Sequence, residues 1–251
     1  MGTDPTAART RRAPGLLGQT VIVLGGSAGI GLETARLARA EGADVILTGR
    51  NPDRLRAAAD EVRAAGTAAF DATDRVALER FFAEGPAQID HVMLTGGGPY
   101  YAPLPETAFD EVRADIDRHL LVPAQIALHA IGRVRAGGSL TFIGGTGGRR
   151  RGVGMAFIGA MTAAMPALVE NLALEIAPIR VNLVAAGFVD TPLSASLLGD
   201  GLEARREELR ATLPIARVVG PEDVAAIAVH LMANTSLTGG TYDVDGGQKL
   251  V

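Results

Sequence analysis

The 251-residue sequence contains no cysteine and no tryptophan, and aromatic residues make up only 4% of it. The lack of cysteine excludes disulfides, thiolate catalysis and cysteine-bound zinc together, and it suits a cytoplasmic protein. Positive charge is also in short supply. Twenty-four Lys and Arg face 28 Asp and Glu, for a net charge of −4. Such a chain has no field for gathering polyanions, which argues against a nucleic acid partner. Four scattered histidines offer no metal-binding constellation.

Linkers, repeats and low-complexity blocks are missing as well. One domain is therefore expected over residues 18–251, preceded by a loose tail at 1–17 whose arginines have no apolar run behind them. A single stretch, "GVGMAFIGAMTAAMPALV" (152–169), has the length and composition to suggest a membrane span. Its three glycines and Pro166 favour a helix of a globular core instead. A helix apolar on every side needs cover, so a subunit contact is expected along it.

What is present is an alternation of strand-length and helix-length segments. Strands are expected at 20–25, 44–49, 67–70, 91–95, 139–144, 180–185 and 241–244. Helices are expected at 30–41, 53–65, 75–83, 106–134, 153–177 and 221–233. Most of the strands are nearly continuous Val, Ile and Leu, which marks a parallel sheet covered by helices on both faces. The fold class is therefore α/β, a Rossmann-like doubly wound domain with a mostly parallel seven-stranded sheet. Ligands of such sheets bind beyond the carboxyl ends of the strands.

The first strand runs into "GGSAGIG" (25–31), with Gly25, Gly29 and Gly31 ahead of an amphipathic helix. Glycines there let backbone approach a pyrophosphate, and the helix start favours its charge. Ser27, Ala28 and Ile30 complete this loop. An acidic residue ending the second strand would bind the ribose 2′-hydroxyl of NAD. That strand ends instead in Arg50, followed by Asn51. A guanidinium in this place suits the 2′-phosphate of NADP(H).

Taken together, these motifs resemble those of the short-chain dehydrogenase/reductase family from Gly18 onward. "FDATD" is similar to the family's adenine-side motif, which implies adenine contacts from Asp71 and Ala72. "MLTGGG" stands on its Asn-Asn-Ala-Gly segment and supplies Thr95, Gly96 and Gly97. "VNLVAAGFVDTPL" resembles the stretch that holds the nicotinamide, with Gly187, Val189 and Thr191 retained and Ala186 in place of a proline. The resemblance also implies a small-molecule substrate and a homodimer or homotetramer.

One departure is decisive for function. The alignment places Ile158 on the family's tyrosine, Thr162 on its lysine, Gly145 on its serine and His119 on the asparagine of the long helix. Ile158 has no proton to give, and a positioned general acid contributes on the order of 10² to 10⁴ in rate. Two readings stay open. One is an oxidoreductase that uses another acid or a less demanding carbonyl, alcohol or imine. The other is a non-catalytic NADP(H)-binding sensor or scaffold. Candidates for the replacement acid or carbonyl-orienting group are Tyr100, Tyr101, His119 and Thr146. Arg149, Arg150 and Arg151 could draw in an anionic substrate.

Overall fold

A computed structural model describes residues 15–95 and 97–251. Its elements alternate as β1 (Thr20–Leu24), α1 (Gly29–Ala40), β2 (Asp44–Gly49), α2 (Pro52–Val62), β3 (Gly66–Ala69), α3 (Arg75–Glu84) and β4 (Ile89–Leu94). Then come α4 (Phe109–Ile116), α5 (Val122–Ala130), β5 (Val134–Gly145), α6 (Ala156–Glu175) and β6 (Arg180–Ala186). The chain continues through α7 (Pro192–Leu198), α8 (Leu202–Thr212), α9 (Pro221–Ala233) and β7 (Thr241–Val244). The seven strands are all parallel, in the order β3-β2-β1-β4-β5-β6-β7.

Strand periodicity explains the three layers. Alternate residues of β1 point to opposite faces. Ile22 and Leu24 join a core with Leu78 of α3, Ile126 of α5 and Val169 of α6. Val21 and Val23 join a second core with Ala35 of α1, Leu55 of α2 and Ala228 of α9. Both faces are dry, so residues 21–24 are all apolar. The sheet order reverses between β1 and β4, and a doubly wound sheet opens its crevice at that point.

Several expectations need correction. The segment expected as one helix over 106–134 is broken. It comprises α4, a π-helical turn at Asp117–Leu121 and α5, and its last residue already belongs to β5. Two further helices, α7 and α8, were not foreseen. Thr191 starts α7 through a reciprocal capping box with Ser194, with Pro192 in the first turn. The tail was expected to reach residue 17, yet Leu16 is fully buried in the second core and its N–H donates to the Glu41 carbonyl. Most of that tail, residues 1–14, lies outside the described residues, as does Gly96.

The apolar helix α6 is long and apolar enough to cross a membrane, but it covers the sheet. Met165, Val169 and Leu172 enter the first core, and the helix packs on β6. Ile158 also faces inward at 3% exposure. The outward face is left to small residues such as Ala156, Ala160 and Ala164, with Leu174 exposed near its end.

Candidate functional site

A cleft of about 280 Å³ opens at the carboxyl ends of β1, β2 and β4. One wall is the turn between β1 and α1. Gly25 has φ +87, and a Cβ on it would stand 2.3 Å from the Thr95 hydroxyl oxygen. A Cβ on Gly31 would stand 2.2 Å from the Gly25 carbonyl oxygen. Only glycine lets strand, turn and helix come this close. Ser27, Ala28, Gly29 and Ile30 line the same wall. At its N-terminus α1 has Ala28, with no side-chain cap and no acidic residue in the first turn. Its leading N–H groups therefore have no side-chain partner, and the helix dipole makes this end attractive to an anion.

The second wall comes from the ends of β2 and β3. Arg50 and Arg54 line it. Asn51 spends its side-chain oxygen on the Arg54 N–H at 2.9 Å, capping α2 and fixing where that helix begins. Arg50 approaches Asp71 at 3.9 Å with both side chains open to solvent, an ion pair too loose to hold it. The Asp71 carboxylate accepts from the Thr73 N–H at 3.0 Å and the Thr73 hydroxyl at 2.8 Å, both on Oδ1. Partial burial pushes its pKa upward. The two Thr73 hydrogen bonds and the nearby Arg50 and Arg118 charges outweigh that and leave it below the ordinary carboxylate value.

The third wall carries Thr95, Gly97 and Arg118, and Thr191 with Leu193 closes the far end. Thr95 donates its hydroxyl to the Leu24 and Gly25 carbonyls at 3.0 and 3.1 Å, pinning β4 to the glycine turn. Ala72 also lines the cleft. Gly187 and Val189 do not. They pack behind it, where a Cβ on Gly187 would meet the Gln248 side chain at 2.6 Å and Val189 bridges to Val219.

The candidate acids stand apart from this cleft. The Tyr100 hydroxyl accepts the Ala108 N–H at 2.9 Å, at the start of α4. Tyr101 is more than half exposed. Thr146 is 3% exposed at the end of β5, and its N–H donates to the Ala186 carbonyl at 3.0 Å. His119 sits on the π-helical turn, with Nδ1 2.9 Å from the Asp115 carbonyl oxygen. A carbonyl only accepts, so Nδ1 carries a proton and donates it to that oxygen. The structure does not gather these four groups into one constellation.

On α6, the Thr162 hydroxyl donates to the Ile158 carbonyl at 2.8 Å, within its own helix. A Cβ on Gly145 would meet the Thr162 methyl at 3.3 Å. Of the three loop arginines, Arg149 stands apart, gripping Asp243 through two nitrogens. Arg150 and Arg151 both border a second hollow of about 520 Å³ with Val153 and Met155, and Arg151 also donates to the Gly148 carbonyl. Among the described residues no acidic or histidine cluster could hold a metal.

A family model described as "Enoyl-(Acyl carrier protein) reductase" matches residues 25–249. The chain belongs to the short-chain dehydrogenase/reductase family. It is similar to "Short-chain dehydrogenase/reductase malC" of Malbranchea aurantiaca, 27% identical with 97% of this chain and 99% of that one covered. It is also 31% identical to an "Uncharacterized oxidoreductase" of Mycobacterium tuberculosis, over 91% of each chain. Among solved structures, BdcA in complex with NADPH is 26% identical. It aligns with a TM-score of 0.83 over 92% of this chain and 95% of that one.

Proposed function

We propose that this chain is an NADP(H)-dependent oxidoreductase that moves a hydride to or from a small carbonyl, alcohol or imine without a tyrosine and lysine pair. The observation that carries the proposal is the cleft itself. It has an uncapped helix start over a glycine turn, and Arg50 where an NAD-selective acid would stand, with Arg54 on the same wall. The similarity to a family member crystallised with NADPH supports the choice of cofactor.

In this assignment Gly25, Ser27, Ala28, Gly29, Ile30 and Gly31 cradle the pyrophosphate. Arg50 meets the 2′-phosphate, with Asn51 contributing through its cap. Asp71 would accept from the adenine amino group, beside Ala72. Thr95 and Gly97 border the adenosine ribose, while Thr191, with Gly187 and Val189 behind it, orders the nicotinamide end. The bound nicotinamide supplies the hydride, and the protein supplies orientation and field. Ile158 and Thr162 supply no proton on α6. A substrate already carrying its proton, such as an iminium ion, is therefore the better acceptor than a neutral ketone. The outward face of α6 fits a homodimer or homotetramer, which sedimentation would resolve.

Calorimetric titration with NADPH and NADH tests the cofactor assignment. Removing a charge-assisted contact in Arg50→Ala should weaken NADPH about tenfold to a hundredfold and leave NADH nearly unchanged. Equal affinity of the native protein for both nucleotides would overturn NADP selectivity. A second reading, a non-catalytic NADP(H) binder, is favoured by the Thr162 hydroxyl being spent within its own helix. Consumption of NADPH with a cyclic iminium substrate decides against it, and tight binding with no turnover of ketones or iminium ions decides for it.

A further inference from the structure

Arg118 was not among the sequence-derived candidates, yet it lines the nucleotide cleft with Arg50 and Asp71. Its surroundings are built. One nitrogen pairs with Asp115, whose carboxylate is fully buried and also accepts the Tyr100 N–H at 2.8 Å. Its Nε is buried with no hydrogen-bond partner. Its Cδ lies 3.0 Å from where a Cβ on Gly97 would stand, so a side chain at 97 would push it away. The π-helical turn inserts a residue into the helical repeat and re-aims the side chains of 118 and 119. Turns of this kind recur at functional sites.

We infer that Arg118 is a binding residue for the adenine base, its guanidinium plane lying against the ring while Asp115 holds it from behind. The inference rests on the nucleotide assignment above. Two observations choose the base over a phosphate. Arg118 lines the same cleft as Asp71, the residue placed at the adenine amino group. Its guanidinium is also already paired with the buried Asp115 carboxylate, which leaves it less free to grip a phosphate than the loosely paired Arg50. A paired guanidinium keeps its flat, weakly hydrated face, which is what stacks on an aromatic ring. Arg50 is the opposite case, loosely paired and exposed, and suited to a phosphate.

The test is calorimetry of the full chain with NADPH, NADH and 2′,5′-ADP, on the native protein and on Arg118→Lys and Arg118→Ala. Lysine retains the charge for Asp115 and removes the plane, which keeps the question answerable if Arg118→Ala leaves Asp115 unpaired and unfolds. Both variants should bind all three ligands more weakly by one common factor, about tenfold. Loss confined to NADPH and 2′,5′-ADP, with NADH unchanged, would mean that Arg118 reads the phosphate, and would overturn the inference. Native affinity for all three in a folded Arg118→Lys would overturn it too. If the native protein binds none of the three, the nucleotide assignment itself falls, and this inference with it.

Discussion

His91 lies in β4 at the amino-terminal side of the sheet, away from the cleft, and its acid response can be worked out from its contacts. It is 1% exposed, with Nε2 2.7 Å from the Gln19 side-chain oxygen and Nδ1 2.8 Å from the Ser139 hydroxyl. A neutral ring satisfies both, donating to Gln19 and accepting from Ser139. Desolvation by burial is the largest cause lowering its pKa, the positive charges of Arg180 and Arg135 add to it, Asp90 opposes, and the result is about 3. The unfolded chain titrates near its ordinary 6.5. The folded value is thus depressed for a base, and below about pH 6.5 the unfolded state binds the proton while the folded state does not. Stability is therefore fully present above that pH and falls as pH drops toward 3. Between about pH 8 and pH 5 this single group should remove roughly 2 kcal/mol, rising to about 4 kcal/mol by pH 3. Urea unfolding at about pH 8 and pH 5 measures it, with His91→Asn as the control. The variant will be less stable at both pH values, but its loss on acidification should be smaller than the native protein's by about 2 kcal/mol. The same acid-induced loss in both proteins would refute the buried neutral ring.

The other predictions concern the cleft and α6. Gly31→Ala should lose nucleotide affinity and about 1–3 kcal/mol of stability, because its Cβ would meet the Gly25 carbonyl, which is backbone and cannot swing aside. Native melting and native NADPH binding in that variant would show that the turn has slack. Restoring the family's groups as Ile158→Tyr, Thr162→Lys and Gly145→Ser together should raise NADPH-dependent reduction of simple ketones above the native level, once circular dichroism shows the variant folded. Gly145→Ser by itself should be the poorer test, since its Cβ would crowd the Thr162 methyl at 3.3 Å. A folded, NADPH-binding triple variant with no gain would mean that more than these three side chains separates this site from its relatives.

Local pattern alone determined much of this protein. Strand alternation and the continuous apolar runs specify a covered parallel sheet, because both faces of each central strand must stay dry. The glycine spacing before α1 and the arginine after β2 announce a nucleotide-binding crevice, since a phosphate and a tight turn each leave a short-range mark. Two missed features were also legible. Thr191 with Pro192 is a helix-start signal, and the Glu and Arg pairs of α8, such as Glu203 with Arg206, are helix-spaced.

Other features had little or no local mark. The π-helical turn that brings Arg118 to the cleft lies in the stretch 106–134 that read as one continuous helix, and its one local mark was Pro123 just beyond it. Tyr100 looked like a free phenol until folding placed its oxygen on the Ala108 N–H. Three consecutive arginines read as one patch, and the fold gave Asp243 to Arg149 alone. Arg180, the first residue of β6, is buried and donates to the carbonyls of Leu231, Met232, Asn234 and Leu237, closing the end of α9. In the Arg149 and Arg180 cases the partner is about fifty or more residues away. Period and spacing record only which face a residue presents. The partner waiting there is set by helices and strands that come together when the sheet closes.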